Sequence, residues 1–156
     1  MEEAGSVRGR NVSILDDHRV LALLGEAWRE SQPGTAAAHE EGGFVLRNVG
    51  GCLTVERWLR GGPRQILVPP HRGGLRGGLL VVATFHTHPN PGSEFQQEPS
   101  LTDIRAVRDD ADLDHPDYEG EYVIASEHIY RIPKRVPVLT IGDTRTVLQI
   151  AGSETS

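Results

Sequence analysis

The run "GLLVVATFH", residues 78–86, leaves this chain few choices. It is almost continuously apolar and too short to cross a membrane, and so reads as a strand central in a sheet, buried on both faces. The run ends in His86-Thr87-His88-Pro89. Proline has no N–H to give to a ladder, so the strand should stop at residue 89. Side chains alternate along a strand, which puts His86 and His88 on the same side, at the strand's open end.

The neighbours that such a strand needs are visible on either side. "GGFVLRN" (42–48) and "CLTVERWL" (52–59) are β-rich and are joined by Asn48-Val49-Gly50-Gly51, a hairpin pattern. "RQILVPP" (64–70) reads as a short third strand, and "EYVIAS", "HIYRI" and "PVLTI" or "TRTVLQI" as later ones. Two helices complete the pattern. Asp16 or Asp17 can cap one in which Val20, Leu23, Leu24, Ala27 and Trp28 recur at helical spacing, ended by "SQPG" at 31–34. Ser100 can cap a second, with Leu101, Ile104 and Val107 on one face. The expected class is α/β, a mixed sheet flanked by helices.

A chain of 156 residues suits one domain, expected over 12–150, with 1–11 as a loose leader and 151–156 as a loose tail. The formal charge of −6, without any basic stripe carrying aromatics, argues against a nucleic-acid protein. One cysteine, Cys52, excludes an intramolecular disulfide, and no long apolar run marks export or a membrane span. A reducing, cytoplasmic setting is the expectation.

Two imidazoles on one side of a strand end can converge on one ion. Asp103 is the best third ligand, because it falls in the first turn of the Ser100-capped helix, where the dipole favours an anion. Two histidines and one carboxylate leave the fourth position of a tetrahedral zinc site open, as in catalytic rather than structural centres. Upstream, "HEEGGFVL" (39–46) places Glu40 and Glu41 beside a double glycine that opens a strand. A carboxylate there can act as general base toward a metal-activated water. The residues alone leave open which of the two it is.

Taken together, "EEGGFVL", "FHTHP" and "PSLTD" resemble, in order and kind, the JAMM motif of the JAB/MPN domain metalloproteases. The resemblance covers about residues 16–132. It implies a JAB/MPN fold, related to the cytidine deaminases, and a zinc isopeptidase or peptidase acting at the C-terminal Gly-Gly tail of a ubiquitin-like protein. By position, His86, His88 and Asp103 would hold Zn2+ and Ser100 would steady the oxyanion. The motif's glutamate precedes the strand glycine by three residues, which selects Glu40, ahead of Gly43, over Glu41. Residues 89–102 make a longer connection from the second histidine to the aspartate than is typical of the family, and residues 60–78 leave little room for its usual intervening helix. A minimal, prokaryote-like member fits these departures.

Three other functions can be set beside this one, and the sequence does not separate the first of them from it. A peptidase processing a sulfur-carrier protein would use the same chemistry, and a non-catalytic MPN-like interaction module would normally lack some of the ligands. A small-amide or nucleobase hydrolase lacks support, since the His-x-Glu and paired-cysteine pattern of the zinc deaminases is absent. Trp28 and Trp58 read as core anchors, and "RDDADLDHPDYEGE" (108–121) as a solvated helix end and loop without EF-hand spacing. "LRGG" occurs at 59–62 and 75–78 and reads as two glycine turns; a self-processing site would need to be extended and accessible. No partner is evident in the sequence for His18, His39, His71 or His128.

Overall fold

Ser13 accepts a hydrogen bond from Leu15 N and opens a 3₁₀ turn over Ile14–Asp16, after which Asp17 caps helix α1, His18–Glu30. The computed structural model describes residues 13–92 and 97–150, so the expected leader and tail lie outside the described residues. Strand β1 (Gly42–Arg47) pairs antiparallel with β2 (Leu53–Arg57) through the expected hairpin, in which Gly51 N–H bonds Asn48 O and Asn48 N–H bonds Cys52 O.

A two-residue strand β3 (Leu75–Arg76) turns into β4 (Leu79–His88) through Gly77 and Gly78. Both have positive φ, 56° and 83°, as a tight two-residue hairpin turn requires. Helix α2 (Leu101–Arg108) follows, then β5 (Glu121–Ala125), β6 (His128–Ile132), β7 (Leu139–Asp143) and helix α3 (Thr144–Leu148).

The seven strands form one mixed sheet in the order β2-β1-β4-β5-β6-β7, with β3 on the start of β4. β4 is central, antiparallel to β1 and parallel to β5. One face buries Val45, Phe85, Tyr122, Ile124 and Ile129 under Val20, Leu21, Leu24 and Ala27 of α1 and Leu148 of α3. The other buries Phe44, Leu46, Val81, Val123 and Ile132 with Trp58, Val107 of α2, Leu113 and Tyr118. Helices therefore flank the sheet on both sides, and the apolar run of β4 is buried on both.

The double glycine at the start of β1 is there for close approach. A Cβ on Gly42 would lie 2.6 Å from the carbonyl oxygen of Phe85 and 2.7 Å from the Trp58 ring. Gly42→Ala is expected to lower stability by about 1–3 kcal/mol through overpacking, read as a drop in the denaturation midpoint.

Several expectations are corrected. "RQILVPP" is not a strand: Pro69 and Pro70 have no N–H for a ladder, and Leu67 and Val68 stand 87% and 44% exposed while Ile66 alone packs inward. Leu101, on the expected apolar face of α2, is exposed, leaving Ile104 and Val107 to pack. "PVLTI" supplies β7, whereas "TRTVLQI" is helical behind an Asp143 cap. The acidic stretch 108–121 is not merely solvated, since Leu113 and Tyr118 are buried and Glu119 accepts bonds from Ile14 N and the Tyr122 hydroxyl. Two of the histidines without an evident partner have one: His39 contacts Glu41 and His71 contacts Asp110, each at 2.6 Å.

Candidate metal centre

The parallel pairing of β4 with β5 sets His86 opposite Val123 and His88 opposite Ala125, which turns both imidazoles to the α2 face of the sheet. Both are buried, and their Nε2 atoms lie 3.2 Å apart. α2 begins beside them. Its cap is reciprocal: Asp103 N–H donates to Ser100 Oγ at 3.0 Å, and Ser100 N–H donates to Asp103 Oδ2 at 2.9 Å. The cap fixes the Asp103 rotamer and points its carboxylate at the histidines, Oδ1 at 3.5 Å from His86 Nε2 and Oδ2 at 3.3 Å from His88 Nε2. One ligand atom from each of the three residues lies within 4.8 Å of the others, a group that could hold a metal ion.

The far sides of both rings are also held. His86 Nδ1 bonds Glu121 Oε2, and the other oxygen of that carboxylate accepts from Thr84 Oγ1 at 3.0 Å, whose hydroxyl in turn meets Tyr118 OH at 2.7 Å. His88 Nδ1 lies 3.1 Å from the carbonyl oxygen of Gln97, and the Gln97 side-chain amide donates to Asn90 O. With Nδ1 of each ring turned outward to an acceptor, Nε2 is the nitrogen left on the inward side, the one through which a metal would be held.

The charges respond as such packing dictates. Burial works to keep His86 neutral, but Glu121 and Asp103 outweigh it and hold its pKa well above the usual imidazole value. Burial would raise Asp103, yet its bonds to the two imidazoles and to the Ser100 N–H hold it far below the ordinary carboxylate range. A divalent cation among these groups would take the place of a shared proton.

Glu40 and Glu41 face opposite ways, as neighbours on an extended chain must. Both are buried. Glu41 is occupied elsewhere, with His39 Nε2 on one oxygen and Arg57 Nη2 on the other, each at 2.6 Å. Glu40 is on the side of the metal group: burial pushes its carboxyl up to about 7, moderated by His86 and His88 and reinforced by Asp103 and Glu121. Ser100 Oγ, bonded by Asp103 N–H as acceptor, keeps its own hydrogen for donation.

The first "LRGG" is no free tail. Nor is it the expected glycine turn: Gly62 O accepts from Glu40 N at 2.7 Å and Gly61 N donates to Glu40 O at 2.8 Å, so this segment braces the peptide that carries Glu40. The second forms β3 and its turn. Of the connection 89–102, Gln97 and Ser100 reach the site, and residues 93–96 lie outside the described residues.

Glu121 and Gln97 are the site residues that sequence reasoning missed. The signal for Glu121 was the alternation Glu121, Val123, Ala125 in a β-rich run, which puts one acid on the buried face of its strand. Which strand lies beside β4, however, is not written in either strand. Among the described residues no helix is long and apolar enough to cross a membrane. Comparison of the chain with protein-family models, with curated proteins and with solved structures finds no match.

Proposed function

We propose that this chain is a zinc-dependent peptidase or isopeptidase of JAB/MPN type that hydrolyses the amide bond after the C-terminal Gly-Gly of a ubiquitin-like protein. The observation that carries the reading is the His86, His88 and Asp103 group, three ligands with a buried, readily protonated Glu40 on the same side. The donor set suits zinc: two imidazoles each held at Nδ1 from behind, one carboxylate, and no thiolate, since Cys52 is exposed in the β1–β2 hairpin. When bound, such an ion supplies Lewis acidity, polarising the scissile carbonyl and lowering the pKa of water.

The chain's own groups do the rest. Glu40 takes the proton from the attacking water and passes it to the nitrogen of the departing amine. Ser100 donates its hydroxyl hydrogen to the oxyanion of the tetrahedral intermediate. Asp103 and the two histidines keep their places through the α2 cap and the Glu121 and Gln97 bonds. An extended tail has a natural path, because β2 is an edge strand whose Arg57 end lies beside Gly43, at the same end of the sheet as His86.

The test combines metal titration with cleavage of a panel of ubiquitin-like fusions, with and without chelator. Zinc is expected to bind one per chain and to stabilise the fold, by about 2.7 kcal/mol at 100-fold excess over Kd. Cleavage after Gly-Gly is expected to stop with chelator and return with zinc. A chain that takes up zinc but leaves every fusion intact would remove the peptidase reading, and one that takes up no metal would remove the centre itself.

A further inference from the structure

Glu41 is a buried carboxylate that the hydrolytic reading leaves unused, and three parts of the fold converge on it. Its Oε2 meets His39 Nε2 at 2.6 Å, and His39 Nδ1 is held on Ala37 O at 2.9 Å. Its Oε1 meets Arg57 Nη2, and the same nitrogen reaches Glu30 Oε1 at the end of α1, at 2.9 Å. Arg57 Nε is shielded from solvent and has no hydrogen-bond partner among the described residues, so the guanidinium keeps this bridge while leaving one buried donor unused. The backbone of Glu41 is clamped as well. Its N–H donates to Thr87 Oγ1 at 3.0 Å and its carbonyl accepts from Thr87 N–H at 2.9 Å, and Thr87 is the residue between the two histidines.

We propose that Arg57 and Glu41 are positioning residues for Glu40, a clamp that fixes the direction of the base relative to the metal group. This rests on the reading of Glu40 as the base. Consecutive side chains on an extended peptide point apart, so locking Glu41 on one side sets Glu40 on the other. Rotating the peptide would strand a buried carboxylate away from its partners, a strongly unfavourable state. The Gly61 and Gly62 bonds to the Glu40 backbone complete the clamp, and Arg57 ties it to the end of α1.

The experiment compares Arg57→Met, Glu41→Gln and Arg57→Lys with the wild type in the full-length protein. It reads peptide-resolved amide hydrogen exchange, zinc affinity, and kcat and KM on a cleavable fusion. In Arg57→Met and Glu41→Gln the amides of Glu40 and Gly61, which bond Gly62 O and Glu40 O, are expected to exchange about tenfold faster while the rest of the sheet is unchanged. Because a single nitrogen makes both Arg57 contacts, Arg57→Lys is expected to restore the wild-type exchange. Zinc affinity stays at the wild-type value, and kcat falls about 10- to 100-fold with KM unchanged, as for a misplaced catalytic group.

Unchanged exchange at those two amides overturns the proposal, as does acceleration spread evenly over the sheet. So does a Glu41→Gln protein that has lost all turnover with its exchange intact, since Glu41 would then be the base. Local acceleration in a protein that binds zinc but cleaves no fusion upholds the clamp and removes the hydrolytic reading instead.

Discussion

Replacing Glu40 with glutamine is expected to lower hydrolysis by about 10²- to 10⁴-fold while zinc still binds. Glutamine keeps the size of the side chain and its ability to hydrogen-bond a water, and loses the ability to take a proton. The pH profile offers a second check. In the metal-free site Glu40 is pushed up to about 7, chiefly by burial. The base works deprotonated, so turnover should fall away on the acid side, with its limb at or below about pH 7 because a bound cation favours the carboxylate. Stability runs in the opposite sense. A carboxyl whose pKa is raised on folding binds protons more tightly in the folded state, so stability is greatest below the unfolded pKa and is lost as pH rises through the folded one. For a shift from 4.5 to about 7 the loss is roughly 3 kcal/mol in the metal-free protein. Glu40→Gln should lack that slope. Denaturation of the two metal-free proteins from pH 4 to 8 measures it, and parallel curves would mean that Glu40 is not buried as a neutral acid.

Replacing Glu121 with glutamine is expected to weaken zinc binding by about 10- to 100-fold, as loss of a carboxylate behind a ligating histidine does. Glu121 is the acceptor for His86 Nδ1 and also takes the hydroxyl of Thr84, which is linked to Tyr118. The amide retains one acceptor but no charge, so the ring loses the negative charge that raises its basicity, and one oxygen must serve where two served His86 and Thr84. Glu121→Ala should bind zinc more weakly still, because it leaves His86 and Thr84 without that partner in a buried setting. Competition with a chromophoric chelator gives the affinities directly. Equal affinity in the wild type and in Glu121→Gln would show that His86 needs no carboxylate behind it.

Much of the sheet and part of the site were legible in the sequence for local reasons. Alternation over residues 86–88 and a capping box at Ser100 and Asp103 are properties of short segments, and the structure retains both. The double glycine after Glu40 and Glu41 was also visible, although its purpose was not. It admits Trp58 and the carbonyl of Phe85, both distant in sequence. Where short-range signals were weak the reading went astray: "RQILVPP" carried β-branched residues without any partner strand, and the acidic run concealed Glu121 among charges that do face water.

The sequence by itself determined that a central strand would end with His86 and His88 on one side, and that Asp103 would sit in a capped first turn of a helix. Both follow from backbone periodicity and from the hydrogen bonds that a helix start demands. Only the tertiary structure decided that β5 would run parallel beside β4 and bring Glu121 to His86, that Gln97 would hold His88, and that Arg57 and His39 would claim Glu41 and leave Glu40 to the side of His86, His88 and Asp103. These are choices between chemically equivalent partners, and burial and strand order, which depend on the whole chain, make them.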